Sequence, residues 1–242
     1  MRSLAAMLAW AVTQELIETN PAEKVPKIPD GRRERYLSDD EVAAIWRAIG
    51  VLAADRRLTA AQAAFFRLLM LTGARRGELL GLRWSEVDLQ RGFLLLPPLR
   101  HKSGGASRPK SLHLSPAALE VLGSLKGDHP GFQHVFPSLS AQSKAGNRDG
   151  EVRPAVFEDK PMTPPKGAWD RVLKQSGVLD ASFHVLRHTF ASQIIATGES
   201  LYTLSKMLGH SKSTTTERYA HLRAGAGVAA AQLIADRYHN LE

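Results

Sequence analysis

The sequence predicts a mainly α-helical α+β domain with a small antiparallel sheet, and three observations lead there. Apolar residues recur at helical spacing in successive segments, several opened by a capping residue. Two short runs, Phe93 to Leu96 and Lys110 to Leu114, read as strands joined across Ser103-Gly104-Gly105 in a hairpin. The chain has 242 residues, 43% of them hydrophobic, enough for one large core or for one and a half smaller ones.

Taken in order, Ser3 to Thr19 reads as a helix through Leu4, Met7, Leu8, Val12 and Ile17, and Asn20-Pro21 stops it. Pro21, Pro26 and Pro29 mark residues 21–35 as a linker. A lone helix ahead of a linker has no partner for its apolar face, so it is expected to close a preceding domain. Ser38 and Glu41 form a capping box for a helix ending near Gly50. A helix from Ala60 to Leu71 is broken by Thr72-Gly73, and a short one follows through Glu78 to Leu82. After the hairpin, Ser115-Pro116 opens another helix. Residues Pro137 to Gly167 are polar and rich in Pro, Gly and Ser, and read as a long loop. Helices are then expected over Ala168–Gln175, Phe183–Thr197, Leu201–Leu208 and Val228–His239. No internal repeat is present.

Composition narrows the function. No apolar run approaches the ~20 residues that span a bilayer, and the first residues lack the order of a secretory signal. The absence of cysteine excludes disulfides, thiolate catalysis and cysteine-ligated zinc, and fits a cytoplasmic protein. Lys and Arg outnumber Asp and Glu by 32 to 24, giving a formal charge of +8 and a pI near 9.9. Such a balance favours polyanionic partners, nucleic acid first. The stretch from Arg91 to Leu119 holds no acid, while Arg91, Arg100, Lys102, Arg108 and Lys110 are basic. A one-signed stretch suits a phosphate-facing surface, and Arg100, Arg108 and Lys110 are the expected DNA contacts; a solvated loop is the plain alternative.

Four islands carry chemistry. They are Thr72-Gly73-Ala74-Arg75-Arg76-Gly77-Glu78, His101-Lys102-Ser103, His184-Val185-Leu186-Arg187-His188, and Leu208-Gly209-His210 followed by Thr216-Glu217-Arg218-Tyr219. Each also has an ordinary reading. Arg75 and Glu78 lie three apart, as a surface ion pair would. Lys102 could be one more solvated loop lysine. His184 and His188 have the i, i+4 spacing of a zinc helix, but Val185 stands where a metalloprotease carries glutamate, and Arg187 would press a cation on the metal. Alone, Tyr219 would be a half-buried tyrosine like Tyr36, Tyr202 or Tyr238.

In that order the islands resemble the tyrosine recombinase (phage integrase) family. Its pattern is an arginine after Thr-Gly, a hairpin lysine, a His-x-x-Arg helix, and Leu-Gly-His with a tyrosine nine residues later. The resemblance runs from Tyr36 to Tyr219, and Leu-Arg-His-Thr-Phe-Ala-Ser at 186–192 matches closely. It departs at Arg76-Gly77, at His101 and Ser103 beside Lys102, and at Val185, without removing a functional group. The domain plan it implies is a last helix of a core-binding domain over 1–20, a linker over 21–35 and a catalytic domain over 36–242.

The resemblance implies a site-specific recombinase that cuts and rejoins double-stranded DNA through a 3′-phosphotyrosine ester, with no metal and no cofactor. Attack on a phosphodiester builds negative charge on the non-bridging oxygens, which fixed positive donors must meet. Arg75 and Arg187 are the implied clamps, as rigid, permanently charged forks. Tyr219 is the implied nucleophile, and at a free pKa near ~10 it needs a base or a positive field. His184 is the expected proton acceptor, with His210 beside it. Lys102 is the expected general acid for the leaving 5′-oxygen, with Arg100 and Lys110 as the hairpin's alternatives. Glu78 and His188 are expected behind these groups, orienting them. The helix Val228–His239 is expected to dock on another subunit, giving a DNA-dependent homo-oligomer, a tetramer on paired sites. Two other functions fit part of the pattern. A type IB topoisomerase shares the chemistry, and a DNA-binding regulator could use Leu201 to Thr216 as a helix-turn-helix.

Overall fold

The computed structural model of the protein describes residues 2–25, 35–98, 109–140, 155–209, 216 and 219. Its chain divides into two units, residues 1–34 and 35–242. Among the described residues no helix is long and apolar enough to cross a membrane.

In the first unit, α1 spans Arg2–Thr13 and ends well short of Thr19. The reason is local. Glu15 sits at a φ of 55°, which closes the helix, and the Leu16 N–H reaches back to the Ala11 carbonyl at 2.9 Å. Asn20 acts as a clasp and not as the stop. Its side-chain amide donates to the Ala5 carbonyl at 3.1 Å, and its oxygen accepts from the Ala22 N–H at 3.0 Å. Leu4, Met7 and Trp10 of α1 are exposed.

The second unit opens with α2 (Asp39–Ala54). Ser38 and Glu41 cap it reciprocally, and three acids in its first turn face the positive end of the helix dipole. It runs past Gly50. Helix α3 (Ala60–Thr72) is capped the same way by Thr59 and Gln62, and Gly73 ends it at a φ of 58°. Helix α4 (Arg76–Leu80) begins earlier than Glu78, because the Glu78 carboxylate accepts the Arg75 N–H at 2.8 Å and so caps the turn. A 3-10 turn at Trp84–Glu86 leads into β1 (Val87–Asp88), a strand too short to leave a periodic signal. Strands β2 (Phe93–Leu96) and β3 (Lys110–His113) complete a three-stranded antiparallel sheet in the order β1-β2-β3. Leu94 pairs with Leu112 and Leu96 with Lys110.

Helix α5 (Pro116–Leu125) follows, with Ser115 as its cap. The expected loop from Pro137 to Gly167 is partly a second sheet, with β4 (Pro137–Leu139) antiparallel to β5 (Phe157–Pro161). Its composition hid a pinned hairpin. The Asp159 carboxylate accepts from the Gln133 N–H at 2.9 Å, the His134 N–H at 3.0 Å and the His134 ring at 2.7 Å. These bonds, the Gln133 N–H foremost, hold its pKa down to about 2. Then come α6 (Lys166–Ser176), α7 (Phe183–Ala196) and α8 (Leu201–Leu208). The expected helix Val228–His239 lies outside the described residues.

Helix α2 packs on α6, α3 lies between α5 and α7, and α8 touches both α7 and β3. The main core centres on Phe65, Phe66 and Phe136, all fully buried. Phe66 stacks on Phe183 at 6.0 Å and leans on Trp169 at 5.1 Å. The Trp169 indole N–H donates to the Ala181 carbonyl at 2.6 Å. This aromatic wedge clamps the start of α7, and so fixes where His184 and Arg187 emerge. A smaller cluster joins Ala191, Ile195, Leu204, Leu208 and Tyr219.

Phe66→Ala should cost about 3–5 kcal/mol, the usual loss for a fully buried aromatic ring. The shift of the urea unfolding midpoint measures it.

Candidate active site

The candidate groups gather where α4, α7, α8 and β3 meet. Arg75 is the N-cap residue of α4, in extended geometry at φ −69° and ψ 139°. Its Nη1 donates to Glu78 Oε1 at 3.1 Å, and about a third of its side chain stays exposed. Glu78 is only 2% exposed, and its Oε2 accepts from Lys110 Nζ at 2.7 Å as well as from the Arg75 N–H. Burial acts most strongly on this carboxyl and would raise its pKa. The ammonium of Lys110, followed by the Arg75 N–H and guanidinium, outweighs burial and holds it below the ordinary carboxylate value.

The sequence expectation puts Lys110 on the DNA-facing surface, and here the structure corrects it. The residue is 4% exposed, on the inner face of β3 with Leu112, and its ammonium is committed to Glu78. Burial pushes that ammonium down to about 8; Arg187 and Arg75 push the same way, and Glu78 pulls against them. The aliphatic stem of Lys110 lies flat on Gly209, where a Cβ would overlap Lys110 Cε. A larger residue there would have to displace that stem, and the turn's φ of 59° itself favours glycine.

Arg187 is 5% exposed and held at two points far apart in the chain. Its Nη1 donates to the Gly73 carbonyl at 2.5 Å and its Nη2 to the Leu208 carbonyl at 3.3 Å. Gly73 is itself irreplaceable by a larger residue, since a Cβ there would meet the Phe190 ring at 2.5 Å. Arg75, Arg187, Glu78 and the exposed His184 line one cleft of about 1060 Å3. Arg76, a departure from the usual motif, lines it too, with its guanidinium 5.8 Å over the Phe183 ring.

Tyr219 is 2% exposed within the smaller cluster, and its hydroxyl meets His188 Nδ1 at 2.9 Å. The His188 ring meets His184 edge-on at 4.9 Å and Tyr36 edge-on at 6.2 Å. Lys102, His210, Arg100 and Arg108 lie outside the described residues. Among the described residues no group of three His, Asp or Glu side chains is placed to hold a metal ion.

Arg75, Glu78, His184 and Arg187 therefore share a cleft, and His188 holds Tyr219. Sequence reasoning does not foresee the Lys110–Glu78 ion pair or the seat of Arg76 on Phe183. The first has a signal, because alternation back from Leu112 puts Lys110 on the buried face. The second has none in the periodicity.

With this geometry in hand, the chain matches the phage integrase family over residues 35–225. It is 29% identical over 211 residues to the integrase of Salmonella phage P22, covering 86% of this chain and 49% of the phage protein. It is 28% identical over 214 residues to the tyrosine recombinase XerD of Mycobacterium leprae, covering 87% of this chain and 64% of that one. Among solved structures, XerA recombinase superposes with a TM-score of 0.54 at 23% identity, over 89% of this chain and 68% of its own. A lambda integrase dimer bound to a COC′ core site gives 0.59 at 21% identity, over 90% and 57%. The chain spans about half the length of the P22 integrase.

The buried ion pair sets a pH test. Unfolded, Lys110 titrates near its ordinary 10.5; folded, it titrates near 8. Between those values the unfolded state binds more protons, so folding gains stability as pH rises through this window. The stability of wild type relative to Lys110→Met should therefore climb between pH 8 and 10.5 in urea titrations. At pH 7, Lys110→Ala should cost about 3–5 kcal/mol, because it leaves the buried Glu78 charge short of its main partner.

Proposed function

Because the chain belongs to the phage integrase family, we propose that it is a site-specific DNA recombinase that cleaves and rejoins double-stranded DNA through Tyr219. The observation that carries this reading is the convergence of two arginines from distant segments. Arg75 and Arg187 line one cleft with His184, and the residue after Arg187 holds the Tyr219 hydroxyl.

In this reading the scissile phosphate enters the cleft and its non-bridging oxygens face Arg75 and Arg187. Both guanidiniums are oriented beforehand, Arg75 by Glu78 and Arg187 by the Gly73 and Leu208 carbonyls. Fixed donors cost no reorganisation as negative charge grows on the phosphate, which is where such a site gains its rate. His184, exposed on the cleft wall, and His210 add hydrogen bonds to the same oxygens. Tyr219 attacks phosphorus, the 3′-phosphotyrosine ester forms, and Lys102 protonates the departing 5′-oxygen. The ester conserves the energy of the broken bond, so rejoining proceeds without ATP, and the arginines supply the charge a metal would otherwise bring. Arg100 and Arg108 hold flanking phosphates. The tail over Val228–His239 docks on a neighbouring subunit, so the active form is a DNA-dependent homo-oligomer, a tetramer on paired sites, in the cytoplasm.

Nicked suicide duplexes randomised across the strand-exchange region supply a substrate whatever the target sequence. Wild type should form a denaturant-resistant adduct on this pool. Tyr219→Phe should form none while binding DNA with near wild-type affinity, and chelator should leave the wild-type yield unchanged. A persisting adduct in Tyr219→Phe assigns the nucleophile elsewhere.

Lys102 has its own test. Lys102→Ala should slow cleavage by roughly 10²–10⁴-fold, the range for loss of a general acid. Sulfur in place of the bridging 5′-oxygen makes a leaving group that needs no proton. On that substrate, Lys102→Ala should match wild type and Arg187→Ala should stay impaired.

A further inference from the structure

Resting on that recombinase reading, we infer that His188, and not His184, is the proton acceptor for the Tyr219 nucleophile. A phenol hydroxyl needs a lone pair to give its proton to, and the described side chains around the site offer few. Arg75, Arg187 and Lys110 carry donors only while charged. Of the carboxylates lining the cleft, Glu78 has both oxygens bonded, Oε1 to Arg75 and Oε2 to Lys110 and the Arg75 N–H, and Asp170 and Asp180 are the others. The two imidazoles of α7 are the acceptors nearest Arg187 in sequence, and they face different ways.

His184 is exposed on the wall of the cleft that receives the phosphate. His188 is half-buried, one helical turn on, with Nδ1 at 2.9 Å from the Tyr219 oxygen, a full-strength hydrogen-bond distance. Its ring has little freedom to turn, because His184 meets it edge-on at 4.9 Å and Tyr36 edge-on at 6.2 Å. Tyr219 itself is fastened by its backbone, whose N–H donates to the Thr216 carbonyl at 2.9 Å. Acceptor and phosphate clamp thus occupy consecutive residues of one helix. Cleavage requires the phenol, 2% exposed here, to turn toward the cleft. His188 follows Arg187 directly on α7, and the base role requires its bond to the phenol to persist through that turn.

The step balances as follows. The Tyr219 oxygen forms a bond to phosphorus as its proton passes to His188 Nδ1. The bond from phosphorus to the 5′-oxygen breaks, and that oxygen takes a proton from the general acid. In rejoining, the protonated His188 returns the proton to the departing phenolate. His184 and His188 therefore divide the labour, one serving the phosphate and the other the nucleophile.

Two kinds of measurement test this, one without DNA and one with it. In the free protein, 15N spectra of the histidines should show His188 Nδ1 as an unprotonated acceptor, and Tyr219→Phe should shift that resonance. On the randomised nicked duplexes, His188→Ala should slow adduct formation by roughly 10²–10⁴-fold, as loss of a general base does. Added imidazoles should restore part of the rate, more strongly the more basic the imidazole. The 5′-sulfur substrate should not rescue His188→Ala, because it relieves the acid and not the base. His188→Asn, which keeps a side chain able to accept the phenol bond but is not basic, should be impaired alike. That guards against a mere loss of packing. Wild-type rates in both variants, or an impairment that imidazoles leave unchanged, overturn the assignment. If wild type forms no adduct while the 15N coupling of His188 to Tyr219 is present, the recombinase reading itself fails and the base role falls with it.

Discussion

A carboxylate that is 2% exposed cannot remain charged without cations at its oxygens, and the rest of the site is arranged around that requirement at Glu78. One oxygen takes the Arg75 guanidinium, the other takes Lys110 and the Arg75 N–H. The carboxylate thereby caps α4, aims an arginine into the cleft and ties the inner face of β3 to both. Two separate segments of chain, residues 75–80 and β3, are registered by a single buried charge. A hydrophobic group of the same volume would fill the space, but it would not tell Arg75 where to point.

Around this ionic centre the fold supplies stiffness of another kind. The Phe66, Trp169 and Phe183 rings fix the first turn of α7, and the Trp169 bond to the Ala181 carbonyl fixes the loop before it. Helix α7 then carries His184, Arg187 and His188 into place in a single stroke. Arg187 is tied to carbonyls at Gly73 and Leu208, the C-terminal ends of α3 and α8, where helix carbonyls lack partners within the helix. Its charge therefore meets the negative ends of two helices before any phosphate arrives.

Much of this is legible in the sequence, and what is not has physical causes. The hairpin strands, the cap at Ser115 and the start of α7 follow from periodicity and capping chemistry, and the structure has them where those rules put them. Strand β1 is two residues long, below the length at which alternation can be seen. The β4–β5 pair stays hidden because its stability comes from Asp159 accepting three hydrogen bonds, a contact between positions some 25 residues apart that no local composition reports. The charge of Lys110 points to the surface, whereas its place in the strand, two back from Leu112, points inside, and the strand wins. His188 is legible as a neighbour of the site, while its bond to Tyr219 bridges 31 residues and needs coordinates.

The stem of Lys110 occupies the volume that a side chain at position 209 would fill. Two residues 99 positions apart thus behave as one unit of inheritance. A larger residue at 209 would have to displace the 110 stem as well as take a left-handed backbone, and shortening 110 strips Glu78 of its main counter-charge. No single-step path leads from one arrangement to another without passing through a damaged protein. Drift at this pair is closed from both sides, although neither residue needs to touch the reacting atoms.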